Sequence, residues 1–170
     1  MLSGESAKGK FPITTIRTMN EIILAAEGYA NSGGLGSFAT ALTQPFIGPK
    51  TPESSIAKGA VIAAEETDAS AILVLKNSMD LSRLVSAYRP KVPIITLCET
   101  NKMARQLILH RGIHPIVGLK DVPRLELPSA FLKVAKEMGK IEEGQTVVMV
   151  SIDDDDKLGH SECMRVLTVP

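Results

Sequence analysis

The hydrophobic positions of this chain show two textures, parted by a stretch rich in glycine and proline. In the first, Pro12 opens a run in which Ile13, Ile16, Met19, Ile23 and Ala26 recur at helical spacing. That predicts an amphipathic helix with one apolar face in need of cover. Residues 28–52 then hold five glycines and three prolines, so 31–50 reads as a linker or irregular loop. From Thr51 the pattern becomes regular. Thr51-Pro52-Glu53 is a helix start, with a hydroxyl cap, a proline in the first turn and an acid for the dipole; Ile56, Ala60, Val61 and Ala64 form the buried stripe. The continuous apolar runs at 71–75 and 92–98 predict strands covered on both faces. Between them Leu81, Leu84, Val85 and Tyr88 mark a helix ended by Arg89-Pro90. Met103, Leu107 and Ile108 give a helix stopped by Gly112, and Phe131, Val134, Ala135 and Met138 one stopped by Gly139. Weaker or later strands fall at 114–119, 146–152 and 163–169, the last alternating as an edge strand does.

The order from Thr51 is therefore α-β-α-β-α-β-α-β-β. It predicts an α/β fold of three layers, α/β/α, on a mostly parallel five-stranded sheet. The last two strands lack a helix between them and should be antiparallel, joined by an Asp-rich loop. Composition narrows the function classes. Nineteen basic and nineteen acidic residues leave a formal net charge of zero, and no basic run is present, which argues against tracking along nucleic acid. The absence of tryptophan and the 4% aromatic content argue against base-stacking platforms. No apolar stretch approaches the ~20 residues a membrane span needs, and the first residues lack the pattern of a secretory signal. Cys98 and Cys163 lie far apart in apolar runs, as reduced core thiols of a cytoplasmic protein would.

Several segments carry a family resemblance. "LSGESAKG", followed by Pro12 and its helix, resembles the last strand-to-helix junction of the pyruvate kinase catalytic barrel. "VSAYRPKVPIITLCETNKMARQLILHRGIHPIV" resembles that family's carboxyl-terminal domain almost segment for segment, and "GKIEEGQTVVMVS" and "CMRVLTVP" are similar to its last two strands. The resemblance covers the chain apart from residues 31–50. It implies a remnant of the catalytic barrel at 1–30 and the regulatory domain at 51–170. In this family the barrel moves phosphate from phosphoenolpyruvate to ADP, and its lysine, its metal-binding acids and its potassium site lie upstream of the last barrel strand. The resemblance thus implies no catalytic residue and no cofactor in this chain; magnesium and potassium belong to the full-length enzyme. The expected role is regulation and subunit assembly without catalysis. A stand-alone small-molecule sensor or dimerisation module on the same sheet is the alternative.

The loop after the first strand is where effector-regulated members bind a phosphate. There the family pattern is threonine, any residue, serine, glycine, a basic residue, then serine or threonine. Small residues let backbone N–H groups close on the anion, and the next helix adds its positive end. Here those positions are Lys76, Asn77, Ser78, Met79, Asp80 and Leu81, and only Ser78 is retained. Met79 adds bulk, Leu81 lacks a donor, and Asp80 sets a negative charge at the helix start. Two readings stand side by side. In one, Ser78 or Asp80 caps the helix and Lys76 is solvated. In the other, Lys76, Asn77, Ser78 and Ser82 hold a small phosphorylated metabolite. The run Asp153–Asp156, in the loop the family brings toward its effector, would repel a sugar bisphosphate. That run reads as a solvated acidic face rather than a calcium or magnesium site.

Other signals are weak. Gly33-Gly34-Leu35-Gly36 follows a helix, not a strand, so the nucleotide-loop context is missing. His110, His114 and His160 are scattered; His110 and His114 are four apart, but Gly112 ends the helix between them, so the pair does not share a helix face as a metal site of that spacing would. Arg105 and Arg111 are candidates for ion pairs across a subunit contact, with ordinary surface ion pairs as the plainer reading. The terminal strand leaves an edge to be paired, and the family associates through this domain about a two-fold axis. Self-association as a homodimer is therefore expected.

Overall fold

The computed structural model describes residues 2–31, 51–75, 79–155 and 159–170, with backbone alone at 30–31, 152–155 and 159–162. The chain divides into two units, Met1–Pro45 and Phe46–Pro170. In the first, a short helix α1 (Gly4–Ala7) precedes the long helix α2 (Pro12–Asn31). Helix α2 runs on past Gly28, where the texture of the sequence changes; a single internal glycine costs a helix only about 1 kcal/mol. Its apolar residues stay open to solvent: Ile13 is 74% exposed, Ile16 52% and Ile22 59%.

The second unit begins with α3 (Pro52–Glu66). Its start is a full capping box: Thr51 Oγ1 accepts from the Ser54 amide at 3.2 Å, and Ser54 Oγ accepts from the Thr51 amide at 3.1 Å. There follow β1 (Ala71–Val74), α4 (Met79–Ala87), β2 (Ile94–Cys98), α5 (Asn101–Leu107), β3 (Ile113–Val117), α6 (Leu127–Glu137), β4 (Thr146–Asp155) and β5 (Gly159–Thr168). The sheet order is β3-β2-β1-β4-β5, parallel throughout except for the β4–β5 pair. This is the α/β architecture the hydrophobic pattern predicts.

The side chains of β1 explain that pattern. All four are buried, because a parallel strand at the centre of a sheet is covered on both faces. On one face Leu73, Ile95, Ile116, Val147 and Met149 pack with Phe131, Leu132 and Ala135 of α6. On the other face Ser82 of α4 meets Thr96 of β2, and Gly59 of α3 lies against Met164 of β5. Helices α3, α4 and α5 cover that side, α3 over β1, β4 and β5, α4 over β2, and α5 over β2 and β3. Gly139 follows the end of α6 and Gly112 leads into β3, with φ of +63° and +73°, the left-handed turn that glycine makes without strain; α5 itself ends earlier, at Leu107.

One predicted boundary is corrected. Asp153, Asp154 and Asp155 belong to β4 rather than to a loop, paired in register with Ser161, His160 and Gly159. Aspartate is a poor strand former, but cross-strand pairing in a hairpin decides the conformation more than local preference does. Beyond Val150 the hairpin extends past the last residue of β4 that β1 pairs, as a two-stranded ribbon.

Candidate functional site: the crevice between β1 and β4

The chain visits β1, β2 and β3 in one direction across the sheet, then returns through α6 to lay β4 on the other side of β1. The strand order therefore reverses between β1 and β4. At such a point the connections leave on opposite sides, and a crevice opens beyond the carboxyl ends of the strands, the common ligand site of open α/β sheets. Its floor is fixed where the Leu75 amide donates to the Val150 carbonyl at 2.8 Å. One wall is the first turn of α4. The other is the projecting β4–β5 ribbon, whose backbone carries the aspartates at 153–155.

Among the residues predicted to hold an anion, Lys76, Asn77 and Ser78 lie outside the described residues. Ser82 is fully buried, its Oγ 2.6 Å from Thr96 Oγ1 in a shared hydrogen bond, so it belongs to the packing behind the wall. Leu81 is likewise 0% exposed and part of the hydrophobic core. Met79 is the first residue of α4, so Asp80 stands inside its first turn. Asp80 is paired with Arg83 one turn on at 3.7 Å, a solvent-exposed contact. A carboxylate there offsets the positive helix end that would otherwise favour an anion. Just after β2, Thr100 caps α5 by accepting from the Met103 amide at 3.3 Å.

The remaining candidates are dispersed. Gly33–Gly36 and Asp156 lie outside the described residues, and the aspartates 153–155 are described in backbone only. His114 sits on the edge strand β3, in register with Ile95, and burial together with the nearby Lys140 charge holds its imidazole below the ordinary histidine value. Arg111 is engaged within its own domain, Nη1 donating to the Pro90 carbonyl at 3.1 Å. Burial pushes the Cys98 thiol up, away from nucleophile chemistry. Among the described residues, no three of His, Cys, Asp or Glu come together as metal ligands, and no helix is long and apolar enough to cross a membrane.

Hydropathy did not reveal the hydroxyls of this region. Ser82 and Ser86 are polar yet buried on the inner face of α4; their one-turn spacing was the available signal.

An open α/β sheet with a crevice at its reversal point defines a broad class of ligand-binding domains; comparison with known proteins gives the particular one. The family model for the pyruvate kinase alpha/beta domain matches residues 54–167, well over half of the chain. The chain belongs to the pyruvate kinase family through this domain. Pyruvate kinase of Agaricus bisporus is 36% identical over 188 aligned residues, which take in 100% of this chain and 33% of that protein. That of Clostridium acetobutylicum is 34% identical, over 99% of this chain and 35% of its own length. The solved structure of Cryptosporidium parvum pyruvate kinase in complex with ADP superposes with a TM-score of 0.77 at 27% identity, over 100% of this chain and 33% of that one. The chain thus spans about a third of the length of the curated relatives it matches.

Proposed function

We propose that this chain is the regulatory and subunit-assembly part of a cytoplasmic pyruvate kinase, and that alone it does not transfer phosphate from phosphoenolpyruvate to ADP. The observation that carries the reading is the family match over 54–167, on a sheet whose strand order reverses between β1 and β4. A phosphoryl-transfer centre needs acids and a cation converging on one cavity. The match lies on the alpha/beta domain, and the chain spans only about a third of its relatives. The crevice is altered as an effector site: Asp80 opposes an anion at the start of α4, and Leu81 offers no hydroxyl. Lys76, Asn77 and Ser78 are the residues left to meet a small phosphorylated ligand, with Ser82 bracing α4 behind them.

Self-association follows from β5. It is an edge strand, and it leaves Met164 and Val166 39% and 48% exposed on one face. A second copy laid against that edge about a two-fold axis would cover both.

The test uses the purified chain in two measurements. A coupled assay with phosphoenolpyruvate and ADP should show no turnover, and light scattering at micromolar concentration should show twice the 18.2 kDa chain mass. ATP formation by the chain overturns the first part of the proposal, and a species of only 18.2 kDa overturns the second.

A further inference from the structure

Helix α4 is tied to the rest of its domain by hydroxyls at two points one turn apart. Near its start, Ser82 shares the 2.6 Å hydrogen bond with Thr96 in the middle of β2. Near its end, Ser86 Oγ donates to the Arg111 carbonyl at 2.7 Å, in the turn between α5 and β3. Arg111 in turn donates from Nη1 to the Pro90 carbonyl, in the turn that leads from α4 into β2. Ser82 and Thr96 are 0% exposed and Ser86 is 5% exposed. A buried hydroxyl that loses its partner pays for its desolvation with nothing in return. An axial slip of α4 by one residue moves it ~1.5 Å and breaks both ties together. The helix therefore has one permitted register, not a graded series.

We infer that α4 is a rigid strut joining the crevice at its start to the Arg89-Pro90 and Arg111 turns at the opposite end of the sheet, with the Ser82–Thr96 and Ser86–Arg111 bonds as its two pins. Any displacement of the crevice wall is then delivered to the far turns as one movement. Arg89 makes that end responsive. It is a non-glycine residue at φ +53°, just before Pro90, and its amide donates to the Ser86 carbonyl at 2.9 Å. The Ile94 amide, bonded to the Gly112 carbonyl at 2.8 Å, closes the same cluster from β2. The strut rests on these hydrogen bonds within the domain, so it stands or falls apart from the function proposed above.

Amide hydrogen exchange on the full chain tests it, with Thr96→Val and Thr96→Ser compared. Valine keeps the shape and removes the hydroxyl; serine keeps the hydroxyl. If α4 is a strut, Thr96→Val speeds exchange at Arg89 and Ile94 by about tenfold while β4 and α6 stay at the wild-type rate, and Thr96→Ser behaves as wild type. The reciprocal variant Ser86→Ala speeds exchange at Leu81 and Ser82. Changes confined to the neighbours of the substituted residue overturn the inference. So does a uniform rise across β4 and α6 as well, which reports global destabilisation, or a Thr96→Ser variant that behaves as Thr96→Val does.

Discussion

Helices α2 and α6 carry the same kind of apolar stripe and meet opposite fates. Helix α6 sets Phe131 and Ala135 at 0% exposure and Leu132 at 8% against one face of the sheet. Helix α2 leaves Ile13, Ile16, Ile22, Ile23 and Leu24 between 45% and 74% exposed. An amphipathic period states that a helix has a face to bury; it says nothing of where the partner is. Since helical stability in proteins comes mostly from that packing, the two helices should differ sharply in what substitution costs. Phe131→Ala should lower the unfolding free energy of the domain by about 3–5 kcal/mol, while Ile16→Ala should change it by less than about 0.5 kcal/mol. Urea unfolding of both variants measures the contrast, and an Ile16→Ala cost approaching that of Phe131→Ala would show that α2 is packed in solution.

The same contrast explains what was legible in the sequence. The runs at 71–75 and 92–98 read correctly as strands because a parallel strand buried on both faces must be apolar at every position. Gly139 reads correctly as a helix stop because the left-handed turn there suits a residue lacking a Cβ, whereas α5 ends at Leu107, well before the predicted stop at Gly112. Asp153–Asp155 were misplaced in a loop, since their strand conformation comes from pairing with residues 159–161 and no local preference announces it. Ser82 reads from its position as a ligand contact, while its hydrogen bond to Thr96 depends on how α4 docks on β2, which no local pattern announces. The reversal of strand order that makes the crevice followed from the element pattern only as far as the antiparallel last pair. That β4 inserts beside β1 is a tertiary fact.

The face under α6 is not wholly apolar. Ser151, on β4 beyond Met149, has a buried Oγ with no hydrogen-bond partner among the described residues. An unpaired buried hydroxyl is a cost the fold carries, in contrast to Thr96, whose hydroxyl is paired. Ser151→Ala should therefore be neutral or stabilising by up to about 1 kcal/mol, where most buried polar-to-apolar changes at paired sites destabilise. Urea unfolding again gives the number. A loss of more than about 1 kcal/mol would mean that Ser151 does have a partner and that this end of the α6 face is wetter than the rest.

The smallest effect sharpens the comparison at the sheet's edge. His114 lies in register with Ile95 on the α6 side, and Lys140 just beyond that helix adds its charge. Burial first, and the lysine second, hold the imidazole below the 6.5 of an ordinary histidine. The unfolded chain then takes up a proton near pH 6.5 before the folded chain does, so the linkage has a definite sign. This contribution is fully present above pH 6.5, declines as the pH falls below it, and is exhausted once the pH has passed through the folded value. An NMR titration of the His114 ring should give a midpoint below 6.5, and Lys140→Met should raise that midpoint without restoring it fully, because burial is the larger cause. His114→Gln should flatten the corresponding part of the stability–pH curve. A wild-type midpoint at or above 6.5 would mean that water reaches the ring freely, and that cover by α6 gives out before the edge strand.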